Sequence, residues 1–279
     1  MQDHATLVNQ QYSRQELYQT ILDALQEDGV EADAITREKL AGVDEFHVRG
    51  QEVTREMAAL ANLSAGTSVL DVGCGLGGPA RLLADEYGCE VTGIDLTEEY
   101  IRTANQLSKL TRLDGLTHFI TGNALELPFT DGRFDVAWTQ HVQMNISDKN
   151  RFYQEIARVL KPGGRFMYYD IFSVDHQPIQ FPVPWADNPT ISHLMTLAEY
   201  RSVLTGAGLE EMNRVDQTAR GIQFFRGLLE KLKTGSIPRI SLRLLMGQDL
   251  PLKIANLLLN LEEGRLTLES GICVKRIGG

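Results

Sequence analysis

The chain has 279 residues, 43% hydrophobic and 23% charged, with a formal net charge of −10. That length supports one large α/β domain with attached elements, and the acidic balance disfavours a nucleic-acid partner, because phosphate contacts need a basic surface. No apolar run reaches the roughly 18 residues that span a bilayer. Three scattered cysteines (Cys74, Cys89, Cys273) make neither a disulfide framework nor a zinc site. The six histidines show no metal-ligand spacing, so no metal is expected. Met1-Gln2-Asp3-His4 carries neither the basic segment nor the apolar core of a secretory signal, and the cytoplasm is the expected compartment.

Residues 11–27 read as an amphipathic helix, with Leu17, Ile21, Leu22 and Leu25 at helical spacing and Gly29 as its stop. A short helix is expected over 36–40. After Asp44-Glu45-Phe46-His47-Val48-Arg49-Gly50, a third runs over 51–60 and packs Val53, Met57 and Leu60. Residues 1–63 therefore form an N-terminal helical arm, which can be a packing cap on a sheet or a lid over a bound molecule.

The stretch Ser68-Val69-Leu70-Asp71-Val72-Gly73-Cys74-Gly75-Leu76-Gly77-Gly78-Pro79 reads as the end of a buried parallel strand, a glycine turn and the start of a helix. The glycines allow a sharp turn and close approach to a ligand, and the helix start leaves free N–H groups. Two readings compete. Gly73-x-Gly75-x-x-Gly78, with Asp95 about twenty residues on, matches the dinucleotide fingerprint of nicotinamide oxidoreductases. Asp71 opposes it, because a carboxylate beside a pyrophosphate is repulsive and instead suits a ligand with positive charge at that point.

Asp71-Val-Gly73-Cys-Gly75-Leu-Gly77 resembles motif I of the class I S-adenosylmethionine (SAM)-dependent methyltransferases, an acidic residue followed by Gly-x-Gly-x-Gly. The resemblance implies an α/β, Rossmann-like seven-stranded sheet with its last strand antiparallel and helices on both faces. It implies SAM as cofactor and methyl transfer as the reaction. A single domain is expected over 1–279, with the arm at 1–63, a SAM-binding core at 64–172, and lid insertions and C-terminal strands at 173–279.

Glu90 to Leu96 reads as the second strand, with Thr97 capping the helix that follows. Asp95 stands where a carboxylate takes both hydroxyls of a ribose, or closes an Asx turn; Leu96 lies beside it. The strand at 118–121 ends in Gly122-Asn123-Ala124-Leu125-Glu126-Leu127-Pro128-Phe129. This is similar to the family's adenine-contacting Gly-Asp-Ala segment, with Asn123 in place of Asp and still offering an acceptor. The fourth strand, 134–139, ends in Gln140-His141-Val142-Gln143-Met144-Asn145-Ile146, at the carboxyl edge where ligands bind in open sheets. Ser147 is expected to cap the next helix. Arg158-Val-Leu-Lys-Pro-Gly-Gly164 closely resembles the family's turn before the fifth strand, expected over 165–172.

Residues 173–195, with four prolines and no period, read as a long loop of the kind that often covers substrate. Thr196-x-x-Glu199 is a capping box, 209–215 a sixth strand, and 221–233, 240–246 and 250–261 amphipathic helices inserted before a last strand at 266–277. That insertion is a second lid, a dimer face or core packing.

Alignment of acceptor, methyl and sulfur supplies about 7–11 kcal/mol in such a reaction, so an essential base is not required. For a hydroxyl acceptor a base adds roughly 10²–10⁴-fold. His141 with Asp170, on adjacent strand exits, is the first catalytic pair to consider; a core or cofactor-contacting histidine is the alternative. His47 is a second base candidate. Gln140 is assigned to cofactor, and His47, Gln143 and Asn145 to the acceptor. The resemblance points to sugar O-methyltransferases and sarcosine/dimethylglycine-type N-methyltransferases, with a small-molecule acceptor methylated on O, N or C. Rival readings are a SAM-fold protein with other chemistry or none, a macromolecular methyltransferase, and a nicotinamide oxidoreductase.

Overall fold

The computed structural model describes residues 4–12 and 16–277. Seven strands form one sheet: β1 (Ser68–Val72), β2 (Glu90–Asp95), β3 (Thr117–Thr121), β4 (Phe134–Gln140), β5 (Leu160–Ser173), β6 (Leu209–Asp216) and β7 (Leu266–Lys275). Their order is β3-β2-β1-β4-β5-β7-β6. Strands β1 to β5 pair in parallel, and β7 runs antiparallel to both β5 and β6. The strand order reverses between β1 and β4, which opens a crevice at their carboxyl ends.

The central strands are apolar on both sides because helices cover both faces. Val69, Trp138 and Met167 point to one face and meet Val53 and Met57 of α4 (Gln51–Leu60), Leu83 of α5 (Gly78–Tyr87), and Ile254 and Leu257 of α11 (Leu250–Glu262). Their neighbours Leu70, Ala137 and Phe166 point the other way. They meet Phe152 and Ile156 of α7 (Lys149–Val159), and Tyr200 and Leu204 of α8 (Leu197–Gly206).

The arm comprises α1 (His4–Tyr12), α2 (Leu17–Glu27), α3 (Arg37–Asp44) and α4. The insertion comprises α9 (Thr218–Lys233), α10 (Arg243–Met246) and α11. Arm and insertion pack against each other, and both line the cavity at the sheet's carboxyl edge. Leu17, Ile21, Leu25, Leu40 and Val43 share a cluster with Ile240 and Leu245 of the insertion, and with Tyr100 of α6 (Glu98–Leu110). Gly42 packs against the insertion's main chain: a Cβ there would lie 2.1 Å from the Ile240 carbonyl oxygen. Arg49, buried, donates to Glu56 within the arm and to Gln217 at the entrance to α9.

Several expectations change. The segment read as one helix over 11–27 is interrupted: α1 ends at Tyr12, Glu16 has φ 55°, and α2 starts at Leu17, with 13–15 outside the described residues. Ser147 is not the cap of α7; Asp148 is, accepting the Arg151 N–H at 2.9 Å, because the helix begins at Lys149 and Ser147 lies one residue before the cap position. Thr97 stands at the cap position of α6, but its side chain makes no capping bond. The fifth strand begins at Leu160, paired with Phe134 across a register shift, so the Lys161-Pro-Gly-Gly turn is a bulged start of β5.

Candidate active site

Residues 73–78 turn through three left-handed glycines, Gly73 (φ 74°), Gly75 (φ 52°) and Gly77 (φ 79°). Their surroundings differ. A Cβ at Gly73 would meet Val142 at 2.5 Å, and one at Gly77 would meet Phe119 at 2.5 Å, so packing excludes side chains there. A Cβ at Gly75 meets nothing within 4 Å and would project into open space. The N–H groups of Gly73 and Cys74 donate to the Ile94 carbonyl at 2.8 and 3.1 Å, which binds the turn to the end of β2. Gly78 faces the arm: its Cβ would lie 2.2 Å from the Asp44 carbonyl oxygen.

Asp71, at the end of β1, is buried, and its Oδ2 has no hydrogen-bond partner among the described residues. Burial, then the nearby Asp95, push its carboxyl up to about 7. Such an orphaned acid stands where a cation would be welcome. Asp95 is tied to the turn. One carboxylate oxygen accepts the Gly75 N–H at 3.0 Å and the other the Thr97 N–H at 2.9 Å. Asn123 closes an Asx turn through Oδ1, which accepts the Leu125 N–H at 2.9 Å.

These groups line one side of a cavity of about 280 Å³, together with Leu96, Ala124 and Tyr12. The other side is apolar: Val48 of the arm, Ile171 of β5, Trp185 of the 173–195 loop, and Phe225, Leu228, Ile254 and Leu257 of the insertion. Arm, loop and insertion therefore all contribute walls. Among the described residues that line the cavity there is no lysine or arginine; its charged side chains are Asp44, Asp71 and Asp95, with His47 and His141 as imidazoles.

A family model described as a methyltransferase domain matches residues 70–168. Residues 70–168 thus carry a methyltransferase domain of the class I SAM-dependent type. The chain is 33% identical over 177 residues to a glycine/sarcosine/dimethylglycine N-methyltransferase of Actinopolyspora halophila, covering 62% of this chain and 31% of that protein. It is 37% identical over 140 residues to a 2-methyl-6-phytyl-1,4-hydroquinone methyltransferase of Synechocystis, covering 50% of this chain and 42% of the relative. The chain thus spans less than half the length of either. Among solved structures, the 4+2 cyclase SpnF superposes with a TM-score of 0.65 at 25% identity, over 81% of this chain and 82% of that one.

The cofactor of this methyltransferase family is SAM, and the residues present fit it. The orphaned Asp71 oxygen offers a partner to an ammonium, the open space at Gly75 admits a ligand against the backbone, and Asp95 and Asn123 present acceptors to the same cavity. A dinucleotide fits poorly, because the helix start at Gly78 is covered by Asp44 and the neighbouring side chains are acidic.

The other expected site residues separate in the structure. Gln140 lines the cavity but is held, accepting Trp138 Nε1 at 2.9 Å and donating to Thr54 Oγ1 at 3.2 Å. Asn145 lines it too, while its amide donates to the Trp185 and Ile191 carbonyls and its oxygen accepts from Tyr12 at 2.8 Å. It braces the loop and α1 around the site. Gln143 is fully buried outside the cavity lining, where its side chain donates to the Ile171 carbonyl at 2.5 Å.

The expected His141–Asp170 pair does not form. Asp170 accepts from the N–H groups of Val142, Gln143 and Ile171, at 3.3, 3.1 and 3.1 Å, and is spent on holding the 141–143 turn. That turn carries His141 at φ 55°. His141 lines the cavity, and its buried Nε2 has no partner among the described residues. Burial, then the neighbouring His47, hold its pKa well below the ordinary value. His47 and His141 lie with ring centroids 6.3 Å apart, and Tyr169 packs against both. Glu45, beside His47, gave no sequence signal beyond its proximity.

Proposed function

We propose that this protein transfers a methyl group from SAM to an uncharged, largely apolar small molecule. The carrying observation is the cavity's composition: an acidic, glycine-walled side for a cationic cofactor, and an apolar side without a lysine or arginine. A sarcosine-like acceptor would bring a carboxylate, and a phosphorylated one a phosphate. Both need a cationic or multiply donating partner once dehydrated. An apolar body is instead stabilised by about 25 cal/mol per Å² of surface removed from water. The phytyl-hydroquinone named for the Synechocystis relative is of this apolar class.

When bound, SAM supplies an electrophilic methyl on a sulfonium. In this reading Asp71 takes the ammonium, Asp95 the ribose hydroxyls and the Asn123–Ala124 turn the adenine. Trp185, Phe225 and Leu257 orient the acceptor and keep water out. The test is incubation with methyl-labelled SAM and two acceptor sets. One set contains alkylphenols and prenylated hydroquinones; the other contains glycine, sarcosine and phosphoethanolamine. Label in the organic-extractable product supports the proposal, and label only on the zwitterions overturns it. A second reading, SAM-fold chemistry without methyl transfer, is supported by the likeness to a cyclase. It predicts cofactor binding with no S-adenosylhomocysteine formed on either set.

A further inference from the structure

The arm brings one imidazole to the cavity with its tautomer already decided. His47 Nε2 lies 3.1 Å from the Gly50 carbonyl oxygen, 3.1 Å from Thr54 Oγ1 and 3.2 Å from Glu45 Oε2. A carbonyl oxygen only accepts, so Nε2 carries the hydrogen and Nδ1 keeps its lone pair. Among the described residues Nδ1 has no hydrogen-bond partner, and the ring lines the cavity.

We infer that His47 is the proton acceptor of the reaction and that the methylated atom is a hydroxyl oxygen carried on the apolar acceptor. The inference rests on the apolar-acceptor reading and adds the reacting group to it. In the step, the acceptor oxygen forms a bond to the methyl carbon. The carbon–sulfur bond breaks with its electron pair going to sulfur, and the hydroxyl proton passes to His47 Nδ1.

The choice between the two imidazoles follows from what stands behind each. A proton on His47 is met by the Glu45 carboxyl at Nε2, which is buried and has its other oxygen orphaned. Burial, then Asp44, push the Glu45 carboxyl well above its ordinary value, and burial lowers the His47 imidazole to about 4, so a charge on either is costly without the other 3.2 Å away. A proton on His141 has no such partner, because Asp170 serves three backbone amides instead, and His47 would lie 6.3 Å away. Thr54 completes the support. Its hydroxyl accepts from Gln140 at 3.2 Å, which links the arm to the end of β4. The base therefore arrives on the same element that roofs the site, and proton removal requires the arm to be seated.

The test uses the full chain loaded with S-adenosylhomocysteine and 4-nitrophenol as a probe whose absorption reports its ionisation. 4-Nitrotoluene serves as the isostere without a hydroxyl. The wild type is expected to bind the phenol and show it as phenolate. His47→Gln is expected to lower the bound phenolate fraction about tenfold or more while binding S-adenosylhomocysteine as before. Glu45→Gln, which leaves the imidazole in place, is expected to lower it by a smaller factor. Phenolate that persists in His47→Gln, or is lost in His141→Gln alone, overturns the assignment. Binding of nitrotoluene with no phenolate formation in the wild type overturns the base and leaves the apolar-acceptor reading standing. Binding of neither probe overturns that reading as well. Nitrogen NMR of histidine-labelled wild type must show the Nε2–H tautomer at His47; the Nδ1–H tautomer overturns the assignment.

Discussion

The two sides of the cavity are built by different means. The cofactor side is a local product of residues 71–78 and 95–97, where backbone conformation dictates residue type: glycine at φ 52–79°, and a carboxylate bonded to the turn's own N–H groups. The apolar side is assembled from the arm, the 173–195 loop and the insertion, whose side chains meet only in the folded chain. The first is rigid because its hydrogen bonds are internal. The second is as stable as the arm–insertion packing that holds it. Cofactor binding and acceptor binding should therefore respond to different substitutions.

The largest effect is expected at Asp71. Asp71→Asn keeps the shape but removes the charge, and should weaken SAM about 10- to 100-fold by calorimetry, the value of a charge-assisted hydrogen bond. The same change should stabilise the cofactor-free protein above neutral pH. The folded carboxyl sits near 7, above the ordinary value of about 4. Its contribution is thus fully present below pH ~4 and is lost as the pH rises through 7, by roughly 2–4 kcal/mol. Asn loses nothing over that interval, so the two melting curves should diverge between about pH 4 and 7 and run parallel above it.

Asp170→Ala should come next. It strands three backbone amides, should cost about 2 kcal/mol of stability and should lower turnover more than SAM affinity, read by melting and single-turnover rates. Phe224 lines the cavity while 36% exposed, which places it at the cavity's edge. Phe224→Ser should raise the acceptor KM about five- to tenfold, with the S-adenosylhomocysteine Kd unchanged. A parallel loss of both would merge the two sides into one. The smallest effect belongs to Arg239→Ala, at the exposed pair with Glu27 across the arm–insertion seam. A shift beyond about 0.5 kcal/mol there would mean that the seam relies on charge and not on the packing of Gly42 against Ile240.

The same contrast explains what could be read from sequence. Asp71 to Gly77 was legible because left-handed turns and a misplaced acid leave few interpretations, and the seven-stranded sheet was what the resemblance carried by those residues implied. Trp185, Phe225 and Leu257 were not legible as cavity walls, because apolar residues at helical spacing look alike whether they face a core or a gap. His141 and Asp170 stand on adjacent strand exits, which suggested a pair. Adjacency did not show that three main-chain N–H groups lie closer to Asp170 than the imidazole does. Glu45 and His47 are two residues apart, and only the turn through Gly50 brings the carboxylate to Nε2. Gln143 fell among polar neighbours at a strand exit, yet the turn at His141 sends it into the interior.

In the proposed function one cavity holds a cationic cofactor and, beside it, an uncharged apolar acceptor. Calorimetric titration of 4-pentylphenol into protein saturated with S-adenosylhomocysteine, repeated at several temperatures, tests it most directly. Binding is expected without displacement of S-adenosylhomocysteine and with a negative heat-capacity change, the mark of apolar surface leaving water. Displacement of S-adenosylhomocysteine by the phenol, or binding of sarcosine in its place, would contradict it.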